Sequence, residues 1–222
     1  MVTLAIKILA GVLIGIACKF VGDVIEKYLL NARGLQVVRV KYENYIIIAS
    51  MALFGGLIMW RIPLSAETVY MFLLLIICEV ITIADSHYRI IPNELLIGIF
   101  VFRIAFGIPG LLGVKGFPTF RVVDSLVGFI VGFIIFMFPA VLSKTVGAGD
   151  IKLAAAVGFT LGLMGCMVAV VIMGVLVLIY TFMQRQMPIL IIVKTMIPMG
   201  PFLAIGMIVV LLLRMNFGTI PI

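Results

Sequence analysis

Two aspartates, Asp85 and Asp150, lie where apolar segments end or begin. Asp85 is followed by SHYRIIPN, and Asp150 follows the glycine-bracketed turn GAG. A carboxylate at the edge of a membrane segment is costly to keep there, so both are candidates for function. If they meet, they cannot both ionise comfortably and share a proton, which leaves one base and one acid. Such a pair can activate water against a peptide carbonyl without a serine, a cysteine or zinc.

Short turns anchor both aspartates. Pro92 and Asn93 stop one element and let the next helix begin, so the loop after the first aspartate is short. Gly147 and Gly149 permit backbone angles and close approaches that a residue with a Cβ resists. We therefore expect the second turn to bring Asp150 up to an extended substrate strand.

Other ionisable residues have weaker patterns. Glu79 lies within an apolar run, which is compatible with an auxiliary role near an active site or with a buried structural hydrogen bond. Asp124 lies near the start of an apolar segment, where the helix dipole favours a carboxylate. Lys152 could neutralise a lipid phosphate or tune the charge of Asp150. His87 fits polar surface better than a proton shuttle.

Composition indicates a membrane protein. Of 222 residues, 65% are hydrophobic and 11% are charged, whereas a soluble domain has roughly a quarter charged. The apolar residues form continuous runs, which favours membrane helices over a β-barrel. The net charge of +7 fits basic residues that flank spans and does not indicate nucleic acid binding. The cysteines are far apart without a C-x-x-C pair, so we expect neither zinc nor a disulfide framework.

The apolar runs predict an all-α, polytopic membrane bundle of about eight transmembrane helices in a single domain, residues 1–222. Residues 22–44 form the one sizeable loop, and MPILIIVKTMIPMGPF could be a re-entrant or interfacial segment. The amino-terminal run is interpreted as a retained span because it lacks a basic region and a cleavage site. The predicted spans are 2–22, 45–60, 68–85, 94–112, 122–142, 151–163, 165–183 and 196–214.

The basic residues orient these spans. With the amino terminus outside, ten basic residues lie in inside segments and four lie outside, which satisfies the positive-inside rule. Asp85 and Asp150 then emerge at the same depth on the cytoplasmic side, and residues 22–44 lie on that side too. The basic residues of the outside segments are Arg61, Lys115, Arg121 and Arg214.

Three segments carry a family resemblance. ADSHYRIIPN, residues 84–93, and GAGDIKLAAAVGF, residues 147–159, resemble the two signature segments of the type IV prepilin peptidases, a family of membrane GxGD aspartyl proteases. MIPMGPFLAIGMIVVLL resembles the family's last span, in which I-P-x-G-P-F-L is usual. Together the segments cover most of the chain from about residue 68 onward.

The resemblance implies a function. Asp85 and Asp150 would form the catalytic dyad of a peptidase that cuts the basic leader of prepilins and pseudopilins after a glycine. The implied location is the cytoplasmic face of the cell membrane, in type IV pilus assembly or secretion. The implied partners are those precursors and the lipid bilayer, and no cofactor or metal is implied. The residues that match supporting motif positions are Arg89, Pro92, Asn93, Gly147, Gly149 and Lys152.

The chain departs from the family pattern in a segment that is linked to methylation. Larger bacterial members carry paired C-x-x-C motifs in the first cytoplasmic loop, in a segment linked to methylation of the cleaved pilin. This chain keeps only a trace of that region, YENY, without the cysteines. We therefore do not expect N-methyltransferase activity. The compact form resembles the smaller members that serve tight-adherence pili, competence pseudopili or archaeal-type filaments.

Rival functions remain from other classes. An ion- or proton-coupled transporter or channel would also hold carboxylates at membrane depth, here Glu79, Asp85 and Asp150. Against it, the two aspartates lie at the cytoplasmic edge, and the two halves show no inverted repeat. A non-catalytic scaffold for assembly is also compatible with the sequence. A presenilin-like protease fits less well, because the first aspartate is in ADS and the carboxyl end lacks P-A-L.

Overall fold

The chain is helical throughout the part that the structure describes. The computed structural model describes residues 2–36, 41–143, 146–183 and 198–217, and no β-strand occurs within these ranges. The helices are α1 (Val2–Asn31), α2 (Lys41–Arg61), α3 (Ala66–Tyr88), α4 (Asn93–Leu111), α5 (Val122–Ser143), α6 (Ala148–Met183) and α7 (Gly200–Phe217).

These helices have the length and composition of membrane spans. Among the described residues, six helices, α1 to α6, are long and apolar enough to cross a bilayer, which takes about 20 helical residues. Helix α7 contributes a shorter apolar stretch, Gly200–Leu213. The protein is therefore a multi-pass membrane helical bundle, and the predicted all-α fold class is confirmed.

The number and ends of the spans differ in two places from the prediction. The segments 151–163 and 165–183, predicted as separate spans, form one helix, α6, which is broken at Gly162. Helix α1 continues nine residues past residue 22, so the first part of the predicted loop is helical. In this extension Glu26 and Leu30 are buried, each only 1% exposed. Their packing stabilises the helical conformation past residue 22. Residues 184–197, which hold most of MPILIIVKTMIPMGPF, lie outside the described residues.

The chain divides into two compact units. The first comprises Met1–Val80, Val101–Phe120 and Leu212–Ile222, and the second comprises Ile81–Phe100 and Arg121–Leu211. In the first unit, glycines let α1 and α2 approach closely: Gly11 and Gly15 lie against the backbone of Gly55. The prediction of a single domain remains a prediction.

Packing in the second unit centres on α5 and α6. Gly128 of α5 lies against Gly158 of α6, and a Cβ on either glycine would overlap the backbone of the other helix. Phe159 of α6 packs against Phe100 of α4, with ring centroids 5.1 Å apart. Close helix pairs with small residues at the contact are the usual packing solution inside a membrane. This unit contains both motif aspartates.

Candidate active site

Asp85 lies in the last turn of α3 and is only 5% exposed. The helix ends just after it, because Arg89 has a positive φ of 54° and leaves the right-handed helical region. The Arg89 N–H still donates to the Asp85 carbonyl at 3.0 Å, which closes the final turn. The guanidinium of Arg89 also interacts electrostatically with the Asp85 carboxylate. The aspartate is thus fixed at a helix end beside a cation.

The partner of the Asp85 carboxylate is the start of α7. The backbone N–H of Gly200 donates to Asp85 Oδ2 at 2.8 Å in a buried bond between residues far apart in the chain. The first N–H groups of a helix have no acceptor within the helix, and its amino end attracts negative charge. A Cβ on Gly200 would lie 2.8 Å from Asp85 Oδ2, so no other residue fits there without displacement.

Asp150 occupies the first turn of α6 and is half-buried. Its N–H donates to the Gly147 carbonyl at 3.1 Å, and its Oδ2 accepts from the Gly147 N–H at 3.2 Å. This reciprocal pair resembles a capping box and satisfies backbone groups that a helix start leaves open. The expectation of special backbone angles is wrong, because neither Gly147 nor Gly149 has a positive φ.

The expected close approach does occur at Gly149. A Cβ there would lie 3.2 Å from the Cβ of Ile91, a buried residue of the turn after Asp85. One turn further along α6, Lys152 Nζ donates to Asn93 Oδ1 at 3.2 Å. The charge of Asp85 also acts on Asp150, so the two carboxyl groups lie within electrostatic range. The structure therefore brings the two motifs together within the second unit.

The remaining supporting residues lie in the turn before α4. Pro92 is buried, and its carbonyl accepts from the Leu95 N–H at 3.2 Å as α4 begins. Asn93, the first residue of α4, and Lys152 are both exposed. The exposed hydrogen bond between their side chains connects the two motifs at the protein surface.

Two other candidates have different surroundings. Glu79 belongs to the first unit and is 6% exposed, and its carboxylate lies against the backbone of Gly22 in α1. Both interpretations of Glu79, the auxiliary role and the buried structural hydrogen bond, stay predictions. His87 is exposed, and its ring centroid lies 6.2 Å from that of Tyr88.

The described part of the chain was also compared with the side-chain groups that bind metal ions. Within residues 2–36, 41–143, 146–183 and 198–217, no group of three or more His, Cys, Asp or Glu side chains could hold an ion. Cys18, Cys78 and Cys166 are each buried. The chemistry that the described site offers is that of two carboxyl groups and nearby backbone donors.

Sequence reasoning missed Gly200 and the true contact of Asp124. Gly200 lies in the third quoted segment, but its contribution is a backbone N–H, for which no side chain gives a signal. Asp124 does lie in the first turn of α5, as expected. However, its Oδ1 accepts from the Leu163 N–H of α6 at 2.9 Å, so it also caps a different helix.

Similarity to known proteins is found at the level of a family model. No curated protein and no solved structure matches the chain. The family model described as the type IV leader peptidase family matches residues 69–182, just over half of the chain, and this range contains both motif aspartates. The predicted resemblance is confirmed: the chain belongs to the type IV leader peptidase family, the prepilin peptidases.

Proposed function

We propose that this membrane leader peptidase is an aspartic endopeptidase in which Asp85 and Asp150 form the catalytic dyad. The observation that carries the proposal is the contact between the start of α6 and the turn after Asp85, where Gly149 lies against Ile91 and Lys152 Nζ donates to Asn93 Oδ1 at 3.2 Å. These contacts bring Asp85 and Asp150, 65 residues apart in the sequence, to the same end of the second unit, where the dyad shares one proton. The pair therefore provides a base and an acid at the same place.

The dyad cleaves a peptide bond with water as the nucleophile. The ionised carboxylate removes a proton from water as the water oxygen attacks the peptide carbonyl, and the protonated carboxyl donates its proton to the carbonyl oxygen. The tetrahedral intermediate then collapses. The C–N bond breaks as the aspartate that took the water proton gives it to the leaving nitrogen, while a hydroxyl proton of the intermediate returns to the other aspartate. The products are a carboxylic acid and an amine, and the dyad again holds one proton.

The contacts of the two side chains suit these roles. The Gly200 N–H donates to Asp85 Oδ2, which restrains the carboxylate and leaves its second oxygen as the proposed contact of the reacting water. Asp150 is half-buried, so it can meet both a substrate strand and its dyad partner. Reacting groups held in the correct orientation supply a large part of an enzyme's rate enhancement.

The substrate is a prepilin or pseudopilin, cut after a glycine at the cytoplasmic face of the membrane. The apolar segment of the precursor lies between helices, while its basic leader stays near the cytoplasmic surface. This orientation is supported by the basic residues that precede α6, of which seven lie in predicted inside segments and three in outside ones. That count does not depend on whether α6 crosses the membrane once or twice. The loop without paired cysteines supports cleavage without methylation of the product.

A purified cleavage assay tests the proposal. The enzyme in detergent or proteoliposomes is mixed with a precursor that has a basic leader ending in glycine. We expect the leader to be lost on a gel and the product to begin at the residue after that glycine. Intact mass should show an unmethylated product even when a methyl donor is added. The matched control is the same precursor with valine in place of the cleavage-site glycine, which should resist cleavage.

Other outcomes of this assay contradict the proposal. An uncut precursor would count against the assigned substrate, and a cut at another bond would count against glycine specificity. A methylated product would show that the missing cysteines do not decide methylation.

Labelling of single cysteines tests the membrane face. In a parent with its three native cysteines replaced by alanine, Ser86→Cys lies beside Asp85 and Lys115→Cys lies in a predicted outside segment. Both native side chains are exposed. In intact cells, an impermeant thiol reagent should label Lys115→Cys alone, and in inverted vesicles it should label Ser86→Cys alone. The reverse pattern would place the aspartates on the other side of the membrane.

A further inference from the structure

Helix α6 is broken in its middle. Gly162 has φ 73° and ψ −176°, which no residue of a continuous helix adopts. Unbroken, the 36 residues of α6 would extend about 54 Å at about 1.5 Å per residue. The hydrocarbon core of a bilayer is only about 30 Å thick. The break divides α6 into a short half, Ala148–Leu161, and a long half that begins at Leu163.

The short half is the part of α6 that carries Asp150 and is packed within the protein. The buried residues of this half are Leu153, Ala154, Ala155, Ala156, Val157, Gly158, Thr160 and Leu161. In the long half, the buried residues are Cys166 and Ala169. Asp150 is therefore carried by a short, enclosed helix whose far end is the break.

The break leaves backbone groups that must be satisfied. A new helix start has N–H groups without an acceptor in the helix, and a membrane interior offers no water to replace it. Asp124 of α5 supplies that acceptor, because its Oδ1 bonds the Leu163 N–H at 2.9 Å. A Cβ on Gly162 would overlap the Asp124 carboxylate, so the carboxylate fits here only because residue 162 has no side chain.

Helix α5 also contacts the short half directly. Gly128, one turn after Asp124, lies against the backbone of Gly158 and Gly162. Gly132, a further turn along, lies against the carbonyl oxygen of Ala154. Contacts this close allow little sliding of one helix along the other. A shift of the break would therefore move the whole short half, with Asp150 at its other end.

We propose that Asp124 is a positioning residue for Asp150, which acts by fixing the break of α6 at Gly162. By capping Leu163, Asp124 sets the depth and rotation of the short half, and so aligns Asp150 with the motif that carries Asp85. This inference rests on the proposed dyad. Asp124 is not a catalytic residue, since its bond lies at the opposite end of the short half from the reacting groups.

The first test measures cleavage kinetics of Asp124 variants. Asp124→Ala removes the acceptor and should lower kcat up to about 10²-fold, the loss expected from misplacing a reacting group by about 1 Å, with little change in KM. Asp124→Asn keeps an oxygen acceptor at the same place and should restore most of kcat. Glu43→Ala, which removes an acidic residue from the first turn of α2, is the matched control and should behave as wild type.

The second test measures the alignment without using activity. Lys152 Nζ and Asn93 Oδ1 lie 3.2 Å apart, so Asn93→Cys with Lys152→Cys in the cysteine-free parent reports the register of the short half. A short thiol cross-linker should join them efficiently in intact membranes. Adding Asp124→Ala should lower the yield, and adding Asp124→Asn should not. Reading the cross-link in membranes avoids dependence on a variant that fails in detergent.

These outcomes separate the two proposals. Unchanged kcat and unchanged cross-linking in Asp124→Ala would overturn the positioning role while leaving the dyad intact. A loss of kcat in Asp124→Asn as large as in Asp124→Ala would show that charge matters, which also contradicts a role as hydrogen-bond acceptor. If cross-linking depends on Asp124 but the dyad aspartates prove dispensable for cleavage, the dyad fails and the fixed break remains.

Discussion

Replacing either Asp85 or Asp150 by asparagine is expected to lower kcat for leader cleavage by about 10²- to 10⁴-fold, the usual contribution of a general acid or base. Asparagine keeps the size of the side chain and an oxygen that can accept from Gly200 or Gly147, so the local fold should persist. What it removes is the exchangeable proton site. The measurement is single-turnover cleavage of a purified precursor, beside thermal unfolding of each variant in the same detergent.

The double variant distinguishes a dyad from two independent residues. Groups that act as a unit are strongly non-additive, so Asp85→Asn with Asp150→Asn should be about as slow as either single variant. If the two residues contributed independently, the fold-losses in kcat of the two single variants would multiply in the double variant. Glu43→Gln removes a carboxylate outside both motifs and should cleave at the wild-type rate. Wild-type turnover in either single dyad variant would end the assignment of that residue as catalytic.

The membrane fold could be predicted because lipid imposes a simple rule on sequence. A span needs a long apolar run with its backbone bonded internally, so hydropathy locates helices such as α3 and α5 to within a few residues. Hydropathy does not show where a helix continues past the apolar run that crosses the membrane. The last turns of α1 remain helical because Glu26 and Leu30 are buried against protein, and that packing is not visible in a local window.

The division of α6 was harder to predict for a related reason. An apolar run with several glycines gives the same signal whether a loop separates two spans or one residue breaks a helix. The predicted gap after residue 163 lies close to the break at Gly162, but no pattern in the sequence indicates that Asp124, 38 residues earlier, caps the helix after it. That bond depends on the packing of α5 against α6, which is a tertiary property.

The same limit applies to the candidate site. Asp85 and Asp150 stand out in sequence because charge is rare in apolar segments, and their motifs also identify Asn93 and Lys152. The hydrogen bond between those last two residues follows only from the approach of α6 to the turn after α3. Gly200 is least visible, since a backbone N–H is common to almost every residue and only the fold directs this one at Asp85.

Gly200→Ala should nevertheless be among the most damaging single substitutions in this protein. The added Cβ would lie 2.8 Å from Asp85 Oδ2 and 3.0 Å from its Cβ and Cγ, closer than real Cβ atoms tolerate. Either the carboxylate or the first turn of α7 must move, and the 2.8 Å bond from the Gly200 N–H is lost or lengthened. We expect kcat to fall by about 10²-fold, with a smaller change in KM, because a reacting group is displaced.

Gly174→Ala is the matched control for this prediction. A Cβ at Gly174, in the long half of α6, would meet nothing within 4 Å, and alanine is the better helix former. This variant should keep wild-type kcat and equal or higher thermal stability. If Gly200→Ala also kept wild-type kcat while remaining folded, the bond from Gly200 could not be what orients Asp85 during the reaction. The start of α7 would then serve only as packing, and the orientation of Asp85 would have to come from Arg89 and α3.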